Sequence, residues 1–148
     1  MSIININEWH QRARRCPTDK DFNVQLGCHF EEIAEMVETL KFHVDGFPNT
    51  AGANTVLLSG LKMIADRLKS GECTATIEDR EGFLDAIADQ VVTGIGTAYC
   101  AGMDVVEAIK RVDASNWSKY VAGRPQFDAN GKITKGPDYK KPNLEGCY

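Results

Sequence analysis

The chain has 148 residues, of which 43% are hydrophobic and 26% are charged, and its net charge is −4. This length suits a single domain that buries ~70% of its unfolded surface, so a core can form without metals or disulfides. The negative charge disfavours a nucleic-acid or membrane partner, because both are polyanions. Five scattered cysteines without a C-x-x-C pair, together with an N-terminal segment that is charged early, predict a cytoplasmic protein.

Helical spacing dominates the chain from its beginning. The first predicted helix is short and covers Glu8–Arg15. Thr18 is a suitable N-cap for a long second helix, with Asp19 and Asp21 in the first turn. Apolar residues at spacings of three and four carry this helix to about 43–46.

Three further helices are predicted. One runs from about Asn54 to Lys69, and the next begins near Asp79 and continues through an almost uninterrupted apolar segment that should be mostly buried. The last covers Asp104 to about Ala114, where Asp104 is the N-cap. We therefore predict an all-α domain over 1–148, with a helical core at about 18–116.

The segment 117–148 differs in composition, because glycine and proline become frequent. We predict an irregular tail of ~30 residues, and loops of that length inside a domain are usually functional or disordered. Within it, Asn130-Gly131 is typical of a type I′ turn and predicts a small hairpin over Gln126–Ile133.

The first long helix carries four glutamates within two turns: Glu31, Glu32, Glu35 and Glu38. At about 100° per residue, three of them (Glu31, Glu35 and Glu38) share a sector of ~60°. Like charges at this spacing destabilise a helix by a few tenths of a kcal/mol. The cluster therefore needs either full exposure to water or a counter-ion.

A second acidic pair, Asp85 and Asp89, lies four residues apart in the apolar helix. If this helix packs antiparallel to the glutamate-bearing one, five or six carboxylates meet, and divalent cations would have to neutralise them. Carboxylate oxygens of this kind suit Mg²⁺ or Mn²⁺. The alternative interpretation is that both acidic faces are simply solvated.

The segment Glu31–Glu35 resembles the E-E-x-x-E motif of the MazG-like all-α nucleoside triphosphate pyrophosphohydrolases. Asp89 corresponds to the aspartate of their second motif, E-x-x-D; Ala86 stands at its glutamate position, and Asp85 is the expected replacement. Two tail segments resemble S-N-x-S-K and G-K-x-x-K-G-P-x-Y in small stand-alone members of the family, including phage-borne ones: Ser115–Lys119 and Gly131–Tyr139. The resemblance covers about residues 25–143.

The resemblance implies a MazG-like four-helix bundle that forms a homodimer or a dimer of dimers. It further implies Mg²⁺-dependent hydrolysis, with Mn²⁺ as a substitute, of a (deoxy)nucleoside triphosphate to the monophosphate and pyrophosphate. The implied metal ligands are Glu32, Glu35, Asp85 and Asp89. The candidate general base is Glu31, with Glu35 as second choice. The candidate substrate contacts are Asn116, Lys119, Lys135 and Tyr139.

Two alternatives remain open at this point. The substrate of such an enzyme could instead be phosphoribosyl-ATP or an alarmone. Outside enzymes, the chain would be a non-catalytic helical interaction protein that has lost a ligand at Ala86. The sequence has no E-x-x-H pair, which counts against a di-iron bundle, and no P-loop motif.

Overall fold

The computed structural model describes residues 3–40, 42 and 51–148, and within them it contains five α-helices and no strand. The helices are α1 (Ile3–Ala13), α2 (Asp19–Glu38), α3 (Ala51–Ser70), α4 (Arg80–Cys100) and α5 (Val105–Trp117). The predicted all-α class is confirmed. None of the helices in the described ranges is both long enough and apolar enough to cross a bilayer.

The helices belong to two compact units. The α2–α3 unit consists of Cys16–Ala75 together with Phe127–Lys132. The α1–α4–α5 unit consists of Met1–Arg15, Thr76–Gln126 and Ile133–Tyr148. A short piece of the tail therefore belongs to a different unit from the rest of the tail.

The ends of α1 and α2 partly follow the predictions. Helix α1 begins five residues earlier than predicted and ends at Ala13, ahead of Pro17, whose ring disfavours helical geometry in the preceding residue. The Thr18 N-cap is confirmed: its hydroxyl accepts from the Asp21 amide at 3.2 Å, and the Asp21 carboxylate accepts from the Thr18 amide at 2.9 Å. Helix α2 ends at Glu38, so its predicted extension is wrong at 39–40, and its predicted end at 43–46 lies outside the described residues.

Helices α2 and α3 pack closely because small residues lie at their contact. Gly27 and Ala34 of α2 are buried, as are Ala65 and Leu68 of α3. A Cβ atom added to Gly27 would lie 2.8 Å from the Ala65 carbonyl oxygen. Glycine is therefore required here by the distance between the two backbones.

The tail segment Phe127–Lys132 contains a tight turn, but not of the predicted type. The Gly131 amide donates to the Asp128 carbonyl at 3.0 Å, and the Asp128 amide donates to the Lys132 carbonyl at 2.9 Å. Gly131 has φ +90°, whereas Asn130 is not among the residues with positive φ. The predicted type I′ turn is wrong: this is a three-residue loop in which only the glycine is left-handed, and no strand flanks it within the described residues.

In the α1–α4–α5 unit, an aromatic contact joins α1 to the end of α5. The Trp9 indole N–H donates to the Asn116 carbonyl at 3.0 Å, and the Tyr120 hydroxyl donates to the Trp9 carbonyl at 2.7 Å. Trp9 and Tyr120 are both 8% exposed. These long-range hydrogen bonds satisfy polar groups that burial would otherwise leave unpaired.

The rest of the tail lies along α5. The Ser115 hydroxyl donates to the Lys140 carbonyl at 2.7 Å, and the Lys140 amide donates to the Ser118 hydroxyl at 2.8 Å. The Arg111 guanidinium donates to the carbonyl oxygens of Asn143 and Glu145, at 2.9 and 2.8 Å. Hydrogen bonds with side chains thus satisfy backbone groups of the tail that have no partner in a helix or strand.

Helix α4 begins at its Asp79 N-cap, whose carboxylate accepts from the Gly82 amide. It has no buried residue, and its exposed apolar side chains include Leu84 (70%), Val92 (66%) and Tyr99 (80%). The prediction that this segment is mostly buried is therefore wrong for the single chain. Phe83, Ile87 and Ala98 are half-buried, but the other apolar residues of α4 are exposed and are distributed around the helix rather than gathered in one stripe.

Candidate functional site

The glutamates of α2 divide into two pairs according to the side of the helix on which they lie. Relative to the buried Ala34, Glu31 and Glu38 lie at about 60° and 40° around the helix, and Glu32 and Glu35 lie at about 160° and 100°. The first pair therefore borders the contact with α3. The second pair is turned away from it.

Glu31 and Glu38 both form ion pairs with lysines of α3. The Lys69 ammonium lies 2.8 Å from Glu31, and the Lys62 ammonium pairs with Glu38. The two glutamates are seven residues apart, as are the two lysines, and the order of the pairs shows that α2 and α3 run antiparallel. These ion pairs fix the register of the helix pair.

Glu31 has a second cationic partner, Lys132 of the tail turn. Its two carboxylate oxygens accept separately, from Lys69 at 2.8 Å and from Lys132 at 2.8 Å. Partial burial by itself would raise the pKa of Glu31, but the hydrogen bonds from Lys132 and Lys69 outweigh burial and leave the pKa lowered. Sequence reasoning missed both lysines as partners of Glu31.

Lys69 has one more contact, an ion pair at 3.2 Å to Asp66 on its own helix. Burial would lower the pKa of Lys69, but its hydrogen bonds to Glu31 and Asp66 raise it. The matching seven-residue spacings of two glutamates and two lysines were visible in the sequence and would have predicted the α2–α3 pairs. Lys132 is the first lysine of the G-K-x-x-K-G-P-x-Y segment, but nothing in the sequence indicates that it pairs with Glu31.

Glu32 and Glu35 are exposed, and neither forms a hydrogen bond or a salt bridge with a residue that the structure describes. They lie about 60° apart on the outer side of α2. Lys62, the partner of Glu38, also attracts the Glu35 carboxylate electrostatically. Because neither Glu32 nor Glu35 accepts a hydrogen bond from a described residue, their oxygen lone pairs are available to a cation. These are the two α2 residues predicted as metal ligands.

Asp85 and Asp89 lie one turn apart on one side of α4 and are exposed. Their carboxylates form no hydrogen bond or salt bridge with described residues. Because the two aspartates are exposed, they do not need a counter-ion to offset burial. The pair remains a candidate metal site because of its spacing alone. Val92 and Tyr99, both exposed, lie on the same side of α4, and together with the two aspartates they span about 80° around the helix.

The four predicted metal ligands thus form one pair in each unit. Within the described ranges, no three histidine, cysteine or acidic side chains are grouped so that they could hold a metal ion. The assignment of all four to one metal centre stays a prediction. What the chain presents is two separate carboxylate pairs.

The four predicted substrate contacts all lie in the α1–α4–α5 unit. The Lys119 ammonium lies 5.9 Å from the centre of the Trp9 ring, and the Lys135 ammonium lies 4.9 Å from the centre of the Tyr139 ring. The Lys119 amide donates to the Asn116 carbonyl at 3.1 Å.

Gly136 brings the two tail motifs together. A Cβ atom there would lie 3.1 Å from the Lys119 carbonyl oxygen and 2.6 Å from the Val121 side chain, so the segment after Lys135 packs directly on the end of α5 and the residues beyond it.

No protein-family model matches the chain, and neither a curated protein nor a solved structure is detectably similar to it. The description of the fold therefore rests on the structure alone, which shows an all-α arrangement with five helices in the described residues.

Proposed function

We propose that this protein is a Mg²⁺-dependent nucleoside triphosphate pyrophosphohydrolase with a MazG-like helical bundle. The observation that supports the proposal best is the division of the α2 glutamates. Two of the four, Glu31 and Glu38, are used in ion pairs with α3. The two that the resemblance implies as ligands, Glu32 and Glu35, are exposed, and neither forms a hydrogen bond or a salt bridge with a described residue.

Each carboxylate pair suits the way proteins hold Mg²⁺. This ion keeps several waters and takes one or two protein carboxylates, with phosphate oxygens of the substrate completing its shell. Glu32 with Glu35, and Asp85 with Asp89, would each supply two such oxygen donors. Bound Mg²⁺ would polarise the phosphoryl group and lower the pKa of the attacking water.

The lowered pKa of Glu31 bears on the choice of general base. A base must accept a proton, and the two lysines that hold Glu31 oppose its protonation. Glu35 has no such partner among the described residues, and we propose it as the base. Glu31 then has a positioning role, in which it holds Lys132 and the tail turn against α2.

The remaining cationic groups would bind the triphosphate. Lys119 and Lys135 lie on the joined tail motifs, and each ammonium lies near an aromatic ring, which restricts its position. Asn116 and Tyr139 are proposed as polar contacts beside them. Phosphate oxygens that the metal ions do not neutralise need such donors in the transition state.

We further propose that the exposed apolar side of α4 packs against a second copy of the chain. Apolar side chains such as Val92 and Tyr99, exposed next to an aspartate pair, indicate a surface that is covered in the working protein. The resemblance makes a second copy the expected partner. The same surface is the observation that favours the alternative function, a helical interaction protein without catalytic activity.

A panel of ribo- and deoxynucleoside triphosphates, incubated with the protein and Mg²⁺, tests the proposal. We expect release of pyrophosphate and a nucleoside monophosphate from at least one member. Release of orthophosphate would show that the wrong bond was proposed, and turnover of phosphoribosyl-ATP or an alarmone alone would favour those substrates. No turnover of any compound would favour the interaction protein.

A further inference from the structure

A cleft of about 730 Å³ lies in the α1–α4–α5 unit, beside the end of α1. It is lined by Glu8, Gln11, Arg12, Arg15 and Gly123. Its volume is within the range of about 300–1,000 Å³ that is typical of small-molecule sites. None of these residues belongs to the substrate contacts that the resemblance implies.

The cleft is basic although the chain is acidic. Its lining contains two guanidinium groups, from Arg12 and Arg15, and a single carboxylate, from Glu8. Arg14 adds a third guanidinium within the same four residues of sequence, in a protein whose net charge is −4. Positive charge concentrated in one concave place attracts small anions even when the whole molecule repels them.

Arg12 is held in position from two sides. Its Nη2 atom donates to the Glu8 carboxylate at 2.9 Å, and its guanidinium carbon lies 5.2 Å from the centre of the Trp117 ring. A guanidinium that is already oriented loses less side-chain freedom when it binds a ligand. Arg15 is exposed and forms no hydrogen bond or salt bridge with any described residue.

The turn Val121–Arg124 carries Gly123 into the wall of the cleft. Val121 and Arg124 exchange both backbone hydrogen bonds, at 2.9 and 3.0 Å. The two residues between them have positive φ, +49° at Ala122 and +73° at Gly123. An alanine in the left-handed region is strained by its Cβ atom, and strained backbone of this kind is common where ligands are held.

We propose that this cleft binds a phosphate-bearing small molecule, held by the guanidinium groups of Arg12 and Arg15. Guanidinium groups donate in a planar fork that matches phosphate oxygens, and two of them exceed the one carboxylate present. The missing side chain at Gly123 leaves the wall open to close approach. This binding requires no divalent metal, so it stands or fails independently of the proposed hydrolysis.

Calorimetric titration with inorganic pyrophosphate in the presence of a metal chelator tests the proposal. We expect saturable binding by the parent chain, weakened at least ~10-fold in Arg15→Gln, because the variant loses a charge-assisted hydrogen bond to the phosphate oxygens. Arg15 is exposed, so the variant should fold normally. Lys110→Gln, on the exposed side of α5, is the matched control and should bind as the parent does.

Two results would overturn the inference. One is the absence of pyrophosphate binding in chelator, or equal binding by Arg15→Gln and Lys110→Gln. The other is tighter binding of a short single-stranded oligonucleotide than of pyrophosphate, which would identify a surface for a polyanion instead of a site for a small molecule. A fall in tryptophan fluorescence on titration, absent in Arg12→Gln, would add support, because Arg12 lies against Trp117.

Discussion

At the scale of single residues, the account depends on which acidic side chains already have partners. Glu31 accepts hydrogen bonds from two lysines, whereas Glu35, one turn later, accepts from none that the structure describes. The sequence shows four similar glutamates in α2 and cannot distinguish these roles, because the partners of Glu31 lie 38 and 101 residues away along the chain. The spacing in the sequence located the cluster of glutamates, and the tertiary contacts show which of them are used in ion pairs.

Replacing Glu31 by glutamine should make the free energy of unfolding depend less on pH in the acidic range. The pKa of Glu31 is lowered in the folded chain, so its contribution is complete above its ordinary value of 4.5 and is lost as the pH falls through the folded value. Urea unfolding should show Glu31→Gln to be less stable than the parent by ~0.5–1 kcal/mol at pH 7. The difference should shrink at pH 3.

The matched control is Glu38→Gln, which removes a single, more exposed ion pair with Lys62 and should have a smaller effect. A Glu31→Gln variant that matches the parent at pH 7, or a difference that persists unchanged at pH 3, would contradict the assigned ion pairs.

Ala122 offers a second test at this scale. Its φ of +49° is unfavourable for a side chain with a Cβ, so Ala122→Gly should raise the free energy of unfolding by ~0.5–1 kcal/mol. The same substitution in a helix, Ala114→Gly in α5, should lower it by about 1 kcal/mol. Thermal melts of the two variants measure the difference, and equal losses of stability would show that the turn is not strained.

At the scale of helices, N-caps could be read from the sequence, but the packing could not. Thr18 and Asp104 were identified as N-caps because capping depends on neighbouring residues only. The close contact at Gly27 and the exposure of α4 depend on which helices pack together. A single sequence does not show those contacts directly. The Asn130-Gly131 signal located the turn but not its type, since the Asp128 carboxylate accepts from the amides of Asn130 and Lys132.

Substituting Gly27 should separate α2 from α3. An added Cβ would lie 2.8 Å from the Ala65 carbonyl oxygen and 2.9 Å from the Lys69 side chain. We expect Gly27→Ala to destabilise the chain by ~1–3 kcal/mol in chemical unfolding, despite the better helix propensity of alanine.

Gly60→Ala is the control for that prediction. Gly60 lies within α3, and a Cβ there would meet no atom within 4 Å, so the substitution should stabilise the chain by ~0.5–1 kcal/mol. If both glycine substitutions stabilised the protein, the α2–α3 contact described above would be wrong.

At the scale of the whole molecule, the net charge of −4 does not reveal that acidic and basic side chains are grouped locally. Carboxylate pairs lie exposed on α2 and α4, and a basic cleft lies beside the end of α1. The sequence predicted the acidic pairs because their spacing is local. It did not predict the cleft, because Gly123 reaches it only through the turn that closes between Val121 and Arg124.

The exposed side of α4 leads to a prediction about assembly. Val92 is 66% exposed, so Val92→Glu should fold normally in a single chain. If α4 packs against a second copy, the added charge should prevent that contact, and light scattering should report dimers or larger for the parent and monomers for the variant. Val106→Glu, at a 59% exposed valine of α5, should assemble as the parent does. A monomeric parent would contradict the proposed assembly.

The central claim is that the unpartnered carboxylate pairs bind divalent cations, and calorimetric titration with Mn²⁺ tests it most directly. Glu35→Ala and Asp89→Ala should each weaken binding by at least ~10-fold, since even groups that only orient metal ligands change affinity by about 10- to 100-fold. Glu38→Ala removes a neighbouring glutamate that pairs with Lys62 and should leave binding unchanged. Titration curves for Glu35→Ala and Asp89→Ala that coincide with the curve of the parent would contradict the claim.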